Sequence, residues 1–407
     1  MGLASDFKKF LQARFTQCLA ADLPQTSCVV IDVMVQLHAF RARLESDAPS
    51  GQQLVDQIFW KIFQYEHAAL CFDHSASTPW NKAIEWTKRA ERRKRPEPEQ
   101  DATQNQAQTP AVLTPEDLEQ ALELDLVPYP FESVLSRRTL RTRICQYIHD
   151  GVIERMRLGG PDSSLKSVSF WGTREVPSKA AWTPLGVVEE THHPERAGRF
   201  LGEADISCMV AANVFRAAGY RGVTILTVDT DLVAVALLHA FPGLFVALAY
   251  QRTMMSVDIS RLASALVATY RVPLPDAVLV MLSKKTDYTP QTLQKLADWD
   301  VVMQTCCASI RQRGAPIVGR DTLDIGSFHK AMTSAISSGR KGITLNYKPG
   351  DHHLLRLAWV MSYYMRAPKL EVSDMHLPDK WGWEQREGSV SALDGPCVAL
   401  KSGLVKF

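Results

Sequence analysis

Four short, unbroken apolar runs stand out from the surrounding polar sequence: Cys28-Val29-Val30-Ile31-Asp32, Ala68-Ala69-Leu70-Cys71-Phe72-Asp73, Val223-Thr224-Ile225-Leu226-Thr227-Val228-Asp229 and Leu244-Phe245-Val246-Ala247-Leu248-Ala249. Runs of this length without polar alternation suit strands covered on both faces, as in a parallel sheet. Between them, apolar positions recur at helical spacing over 54–65 and 204–218, which predicts helices. Strand and helix alternate. The pattern predicts an α/β fold, a parallel central sheet flanked by helices with right-handed crossovers.

Elsewhere the pattern is looser. Phe7, Phe10, Leu11, Phe15 and Cys18 recur on one helical face, so an amphipathic helix opens the chain. Residues 96–115 are rich in Pro, Gln and Thr and read as a linker or loop. A helix is expected after Thr114, with Pro115 at its first position and Asp117 completing a capping-box-like pattern. Another is expected over 131–157, ending near Gly159-Gly160. Residues 159–200 read as turn-rich, and the apolar run 277–282 as one more strand. The remainder reads as largely helical, then irregular after Met375. The division that follows is 1–95 and 201–290 as two parts of one core, 96–200 as an inserted linker and helical cap or arch, and 291–407 as a C-terminal helical region and tail.

Composition narrows the partners. Of 407 residues, 46% are hydrophobic and 22% charged, which excludes a disordered or collagen-like chain. Lys+Arg number 46 and Asp+Glu 44, so any grip on phosphate comes from local clusters and not from global charge. The eight cysteines show no CxxC spacing, which argues against a zinc ribbon or disulfide framework and for a reducing, intracellular setting: nucleus, cytoplasm or an organelle. Cys28 and Cys71 sit in apolar runs and read as buried thiols. No apolar stretch reaches the ~18 residues of a membrane span, so no membrane partner is expected. No GxSxG, P-loop or dinucleotide glycine fingerprint is found.

The acidic residues carry the chemistry. Three of the four strand candidates end in, or are followed by, Asp: Asp32, Asp73 and Asp229. In an open parallel sheet the strand C-termini line the ligand crevice. A lone Asp there commonly caps the next helix instead. Two close pairs join them, Glu203 with Asp205 and Asp229 with Asp231, and Asp287 follows the run 277–282. Carboxylates crowded together repel unless a cation is shared. Hard oxygen donors without a Cys/His pattern point to Mg²⁺ or Mn²⁺. Two such ions about 3.5–4 Å apart can activate water and stabilise the leaving oxygen of a phosphodiester.

A basic segment follows Asp73. Residues 88–95 include six Lys or Arg among eight, and Lys82, Arg89 and Arg93 fall near one helical face. Trp80 lies beside them as a candidate for base stacking. Arg138 and Arg141 form part of a second cluster suited to the nucleic-acid backbone, with an exposed helix face as the alternative.

Taken in order, these residues resemble the flap endonuclease/XPG-like family of structure-specific 5′-nucleases, within the PIN-like fold. Met1-Gly2-Leu3 resembles the family's opening. Ile31-Asp32 and Phe72-Asp73 resemble its first two metal-binding strands. Lys88-Arg89-Ala90-Glu91-Arg92-Arg93 resembles its Lys-Arg-x-Glu-Arg-Arg stretch, Glu203-Ala204-Asp205-Ile206-Ser207-Cys208 its Glu-Ala-Glu-Ala-x-Cys motif, Asp229-Thr230-Asp231 its Asp-x-Asp motif and Thr286-Asp287-Tyr288 its Gly-x-Asp-Tyr motif. The resemblance covers roughly 1–95 and 200–290. The chain departs from the family at Asp205, which replaces a Glu, at His38, which stands where a stacking aromatic is usual, and after Asp287, where no Gly-rich helix–turn–helix follows.

The resemblance implies a structure-specific 5′-nuclease acting on DNA with two Mg²⁺ ions, Mn²⁺ being an alternative. It implies Asp32, Asp73, Glu203, Asp205, Asp229, Asp231 and Asp287 as metal ligands and Lys82 and Arg89 as the residues that orient the phosphate. Gly2, His38, Trp80, Lys88, Arg92, Arg93, Arg138 and Arg141 are the expected contacts to branched or single-stranded nucleic acid. Two rivals stand beside this reading: an RNA-directed nuclease or 5′→3′ exonuclease on the same fold, and a catalytically silent binding or assembly factor.

Overall fold

The computed structural model describes residues 2–41, 50–73, 138–174, 176–191, 204–250, 253–284, 298–318, 328, 330–331, 375–376, 383–386, 389–392 and 405–406. Its strands are β1 (Leu19–Ala20), β2 (Cys28–Asp32), β3 (His67–Cys71), β4 (Ser167–Trp171), β5 (Ser178–Thr183), β6 (Gly186–Thr191), β7 (Val223–Thr227), β8 (Leu244–Tyr250) and β9 (Thr253–Asp258). Hydrogen bonds order them β1-β9-β8-β7-β2-β3-β4-β5-β6. The helices among them are α1 (Gly2–Arg14), α2 (Val33–Arg41), α3 (Gly51–Ile62), α4 (Arg138–Gly159), α5 (Ala204–Ala217), α6 (Asp231–Leu238), α7 (Ile259–Tyr270), α8 (Leu274–Lys284) and α9 (Trp299–Gln312). The α/β class expected from the alternation is the class observed. All four strand candidates are strands, because each is too apolar to leave either face in water: β2 and β7 are buried at every position.

The chain divides into two compact units, Met1–Val30, His193–Arg199 and Cys208–Phe407 forming one, Ile31–His192 and Phe200–Ser207 the other. In the first, β7 and β8 run parallel, with Val223 opposite Leu244, and α6 connects them. Then β8, β9 and β1 continue antiparallel. Gly243 precedes β8 with φ +85°, and a Cβ there would lie 1.9 Å from the Arg221 carbonyl oxygen, so only glycine fits. The expected amphipathic helix is α1; its Phe7 and Phe10 rings lie 4.9 and 5.9 Å from the ring of Trp299 on α9.

In the second unit, β3 and β4 are parallel, with His67 opposite Ser167, and β4, β5 and β6 continue as an antiparallel meander. A capping box between Ser50 and Gln53 starts α3. The α3 helix packs on α4 so tightly that a Cβ on Gly151 would lie 2.5 Å from Val55 Cγ2. An ion pair between Arg155 and Asp56, 2.6 Å, joins the same two helices.

Three expectations need correction. Residues 159–200 are not mainly turns, since β4, β5 and β6 lie within them, and 167–191 of the expected cap is sheet. Two serines of this span are buried in β4 and satisfied there: Ser167 Oγ lies 2.8 Å from His67 Nδ1, and Ser169 Oγ accepts from Trp171 Nε1 at 3.2 Å. The run 277–282 is helix, within α8; every residue from Asp276 to Lys284 is buried, so no polar face marks the turn in the sequence. Past Met375 two short strand pairs form, Met375–His376 (β10) with Val405–Lys406 (β13), and Trp383–Arg386 (β11) with Ser389–Ala392 (β12). The linker 96–115 and the helix start at Thr114 to Asp117 lie outside the described residues.

Seven cysteines, Cys18, Cys28, Cys71, Cys145, Cys208, Cys306 and Cys307, are free and buried. Among the described residues no single helix is long and apolar enough to cross a membrane.

Candidate active site

Asp32 is the last residue of β2 and is 3% exposed. Its Oδ1 accepts from the backbone N–H of Val35 at 3.1 Å, so it caps α2. Asp73 lies two residues beyond β3, half-buried, and its Oδ1 accepts from the N–H of Ala204 at 3.1 Å. That bond ties the end of β3 to the first residue of α5, across 131 positions of sequence. Asp205 is buried in the first turn of α5, where the orphan N–H groups and the helix dipole favour negative charge. Asp73 and Asp205 therefore belong to one neighbourhood of the second unit.

Helix α4 borders that neighbourhood. Cys145 Sγ is 3.9 Å from the sulfur of Met34, in the first turn of α2. Burial pushes the Cys145 thiol up to about 12; the Asp73 carboxylate adds to the rise, and the Arg141 guanidinium opposes it. Both charged groups are thus within electrostatic reach of this sulfur. Arg141 is half-buried, whereas His38 is exposed on α2.

In the first unit, Asp229 follows β7. Its N–H donates to Thr227 Oγ1 at 3.0 Å, and its Oδ1 accepts from the N–H of Asp231 at 2.8 Å. Asp231 is the first residue of α6. The pair at i, i+2 is a local turn in which one carboxylate holds the backbone of the other.

Glu203, Asp287, Lys82, Arg89, Trp80, Lys88, Arg92 and Arg93 lie outside the described residues. Gly2 begins α1 and Arg138 begins α4. Among the described residues no group of three or more His, Cys, Asp or Glu is disposed to hold a metal ion. The donor chemistry of the second unit nevertheless fits a hard cation. Asp32, Asp73 and Asp205 are carboxylates, donors of the hard-oxygen kind.

Two polar clusters were not singled out by sequence reasoning. His149, fully buried on α4, places Nδ1 2.8 Å from Asp150 Oδ1 and Nε2 3.2 Å from Ser178 Oγ and 3.0 Å from Glu189 Oε1. A serine, a histidine and an aspartate are in sequence here, but Ser178 is 3% exposed and Glu189 shares Nε2, so the cluster fastens α4 to β5 and β6 and is not a nucleophile. Asp276, fully buried at the start of α8, accepts from the N–H groups of Ile317 and Val318 at 3.1 and 2.8 Å. Burial raises its pKa and these two bonds hold the rise back. No motif marks either cluster; only burial reveals them.

These features define an α/β protein whose strand ends and helix starts carry carboxylates. No family model matches the chain, and no curated protein matches its sequence. Among solved structures it is similar to the catalytic core of Rad2 in complex with DNA substrate, at 12% identity over 82% of this chain and 74% of that one, TM-score 0.37. It is similar to the bacteriophage T5 D15 flap endonuclease in a pseudo-enzyme–product complex with DNA and metal ions, at 9% identity over 83% of this chain and 90% of that one, TM-score 0.38. A structure of the T5 D15 protein co-crystallised with metal ions gives 9% identity over the same shares, TM-score 0.37.

Proposed function

We propose that the chain is a divalent-metal-dependent 5′-nuclease that hydrolyses phosphodiester bonds of branched or single-stranded DNA. The observation that carries the reading is the bond from Ala204 N–H to Asp73 Oδ1, which brings together two acidic motifs far apart in sequence. In the second unit Asp32, Asp73, Glu203 and Asp205 would hold divalent ions; in the first, Asp229, Asp231 and Asp287 would do so. Two Mg²⁺ ions, or Mn²⁺ in their place, would supply Lewis-acid activation of water and charge for the departing oxygen.

The chain's own residues bind and orient. Lys82 and Arg89 direct the scissile phosphate and offset its developing charge. Lys88, Arg92, Arg93, Arg138 and Arg141 contact the backbone, Gly2 lets it approach closely, and Trp80 and His38 stack on bases. The N–H groups that grip Asp32, Asp73 and Asp229 fix those carboxylates before substrate arrives.

The test is a cleavage panel of flap DNA, nicked duplex, single-stranded DNA and RNA with Mg²⁺, for the natural chain and a variant carrying Asp229→Asn and Asp231→Asn. Cleavage of flap DNA that the folded variant loses supports the reading, and cleavage retained by the variant sinks the site assignment. Preference for RNA would move the chain to the RNA-directed alternative.

One observation favours a silent binding factor instead: Asp32, Asp73 and Asp229 each already serve a backbone N–H, a role that needs no metal. Titrating Mg²⁺ while following thermal unfolding separates the two. An occupied site raises the midpoint with ion concentration, while a capping role alone leaves it unchanged.

A further inference from the structure

His149 is fully buried on α4, inside a polar cluster that joins the helix to the β5–β6 hairpin. Its Nδ1 lies 2.8 Å from Asp150 Oδ1, and its Nε2 lies 3.0 Å from Glu189 Oε1 on β6 and 3.2 Å from Ser178 Oγ on β5. Gln146, three residues earlier on α4, places Nε2 3.2 Å from His149 Nδ1 and 2.9 Å from Asp150 Oδ1. Arg174, between β4 and β5, reaches the same Glu189 oxygen at 3.3 Å. Phe170 on β4 sets its ring edge-on, 4.1 Å from the imidazole.

A neutral imidazole carries a single N–H, whereas here a carboxylate oxygen stands at each nitrogen. With the proton on Nε2, the lone pair of Nδ1 faces Asp150. With it on Nδ1, the lone pair of Nε2 faces Glu189, and the Ser178 hydroxyl is left to donate to it. Either neutral tautomer thus sets a lone pair against an anion inside the protein, where such a conflict is costly. The doubly protonated ring has a donor for both carboxylates, in charge-assisted bonds. The side chain of Asp150 is 62% exposed and gives the second proton a route to water that the enclosed ring lacks.

We propose that His149 is a proton-operated latch: charged, it holds the β5–β6 hairpin to α4, and on losing its second proton it releases this edge of the sheet. β6 is the last strand in the order and is hydrogen-bonded to β5, so an opening there breaks no further strand pair. When the ring turns neutral, Arg174 keeps Glu189, and the link between helix and hairpin is the one given up. Closing takes up one proton, so the open fraction grows by up to about tenfold per pH unit as pH rises through the titration.

The experiment follows backbone hydrogen exchange of the natural full-length chain by mass spectrometry from about pH 6 to about pH 8, corrected for the intrinsic pH dependence of exchange. That interval lies above the ordinary carboxylate range. Protection over 178–191 falls by up to about tenfold per pH unit, while 244–250 on β8 keeps its protection. In His149→Gln, whose amide does not titrate, the slope over 178–191 disappears. In Glu189→Gln the new amide can donate to a neutral Nε2 as well as accept, so the slope flattens with the histidine in place. A flat profile over 178–191 in the natural chain overturns the proposal. So does an equal fall over 244–250, which marks opening of the whole chain, and so does a slope that persists in His149→Gln. Should His149→Gln not fold, Glu189→Gln decides: a slope equal to that of the natural chain overturns the latch, and a flattened slope sustains it.

Discussion

The backbone N–H of Ala204 donates to the carboxylate of Asp73 across 3.1 Å, so one side chain at the end of β3 sets where α5 begins. Two replacements at Asp73 separate its roles. Asp73→Asn keeps an oxygen that accepts the bond and is expected to unfold near the natural midpoint, yet to lose Mg²⁺-dependent cleavage. Asp73→Ala loses both and costs about 1 kcal/mol, the usual worth of a helix cap. Denaturant unfolding alongside the cleavage panel checks the pair. An Asn variant that cleaves at the natural rate would remove Asp73 from the chemistry.

A steric prediction comes from α3 and α4. A methyl group on Gly151 meets Val55 at 2.5 Å from Cγ2 and 2.9 Å from Cγ1. Gly151→Ala should cost about 1–3 kcal/mol through overpacking. Val55→Ala makes room, so the double variant should be more stable than the sum of the two losses implies. Unfolding curves of the four proteins measure the coupling; strict additivity would show that these helices adjust freely.

Stability should depend on pH through Lys284. It is 3% exposed, with Nζ 4.3 Å from the centre of the Trp299 ring. Burial lowers its pKa from 10.5 to about 8, against the pull of Asp298 and Asp6. A depressed amine is a penalty that ends when the folded chain releases the proton. Between pH 8 and 10 the unfolded chain binds more protons, and stability rises with pH. Over those two pH units the gain is on the order of 1–3 kcal/mol. Above pH 10 Tyr270 acts in the opposite sense, since burial and the nearby Asp300 keep its hydroxyl protonated in the folded chain. Lys284→Met should raise the midpoint at pH 7 and flatten the rise. A natural chain whose stability falls steadily from pH 8 to 10 would contradict this.

The parts of the fold visible in the sequence are those whose pattern has one physical solution. Cys28 to Asp32 and Val223 to Thr227 show no regular alternation of polar residues that would mark a face toward water, so a doubly covered strand follows. The same logic misled at 277–282. A helix enclosed on every side loses its period, and a run of Ala, Val, Leu and Met then looks like a strand. The strand at Ser167 was hidden because Ser167 and Ser169 are turn formers by composition, and only partners distant in sequence, His67 among them, make them acceptable inside a sheet. Of the candidate site, Asp32, Asp73, Asp205, Asp229 and Asp231 were legible as acids at element boundaries. Their second occupation was not: each of Asp32, Asp73 and Asp229 grips a particular N–H, and no spacing rule names Ala204 as the partner of Asp73.

The enclosure of α8 also bears on how the chain tolerates change. A helix at a surface accepts polar substitutions on its outer side, so a saturation scan shows tolerance that beats with the turn. From Asp276 to Lys284 that beat should vanish, leaving nine consecutive positions equally unforgiving, with the Asp276 clamp on Ile317 and Val318 as their sharpest point.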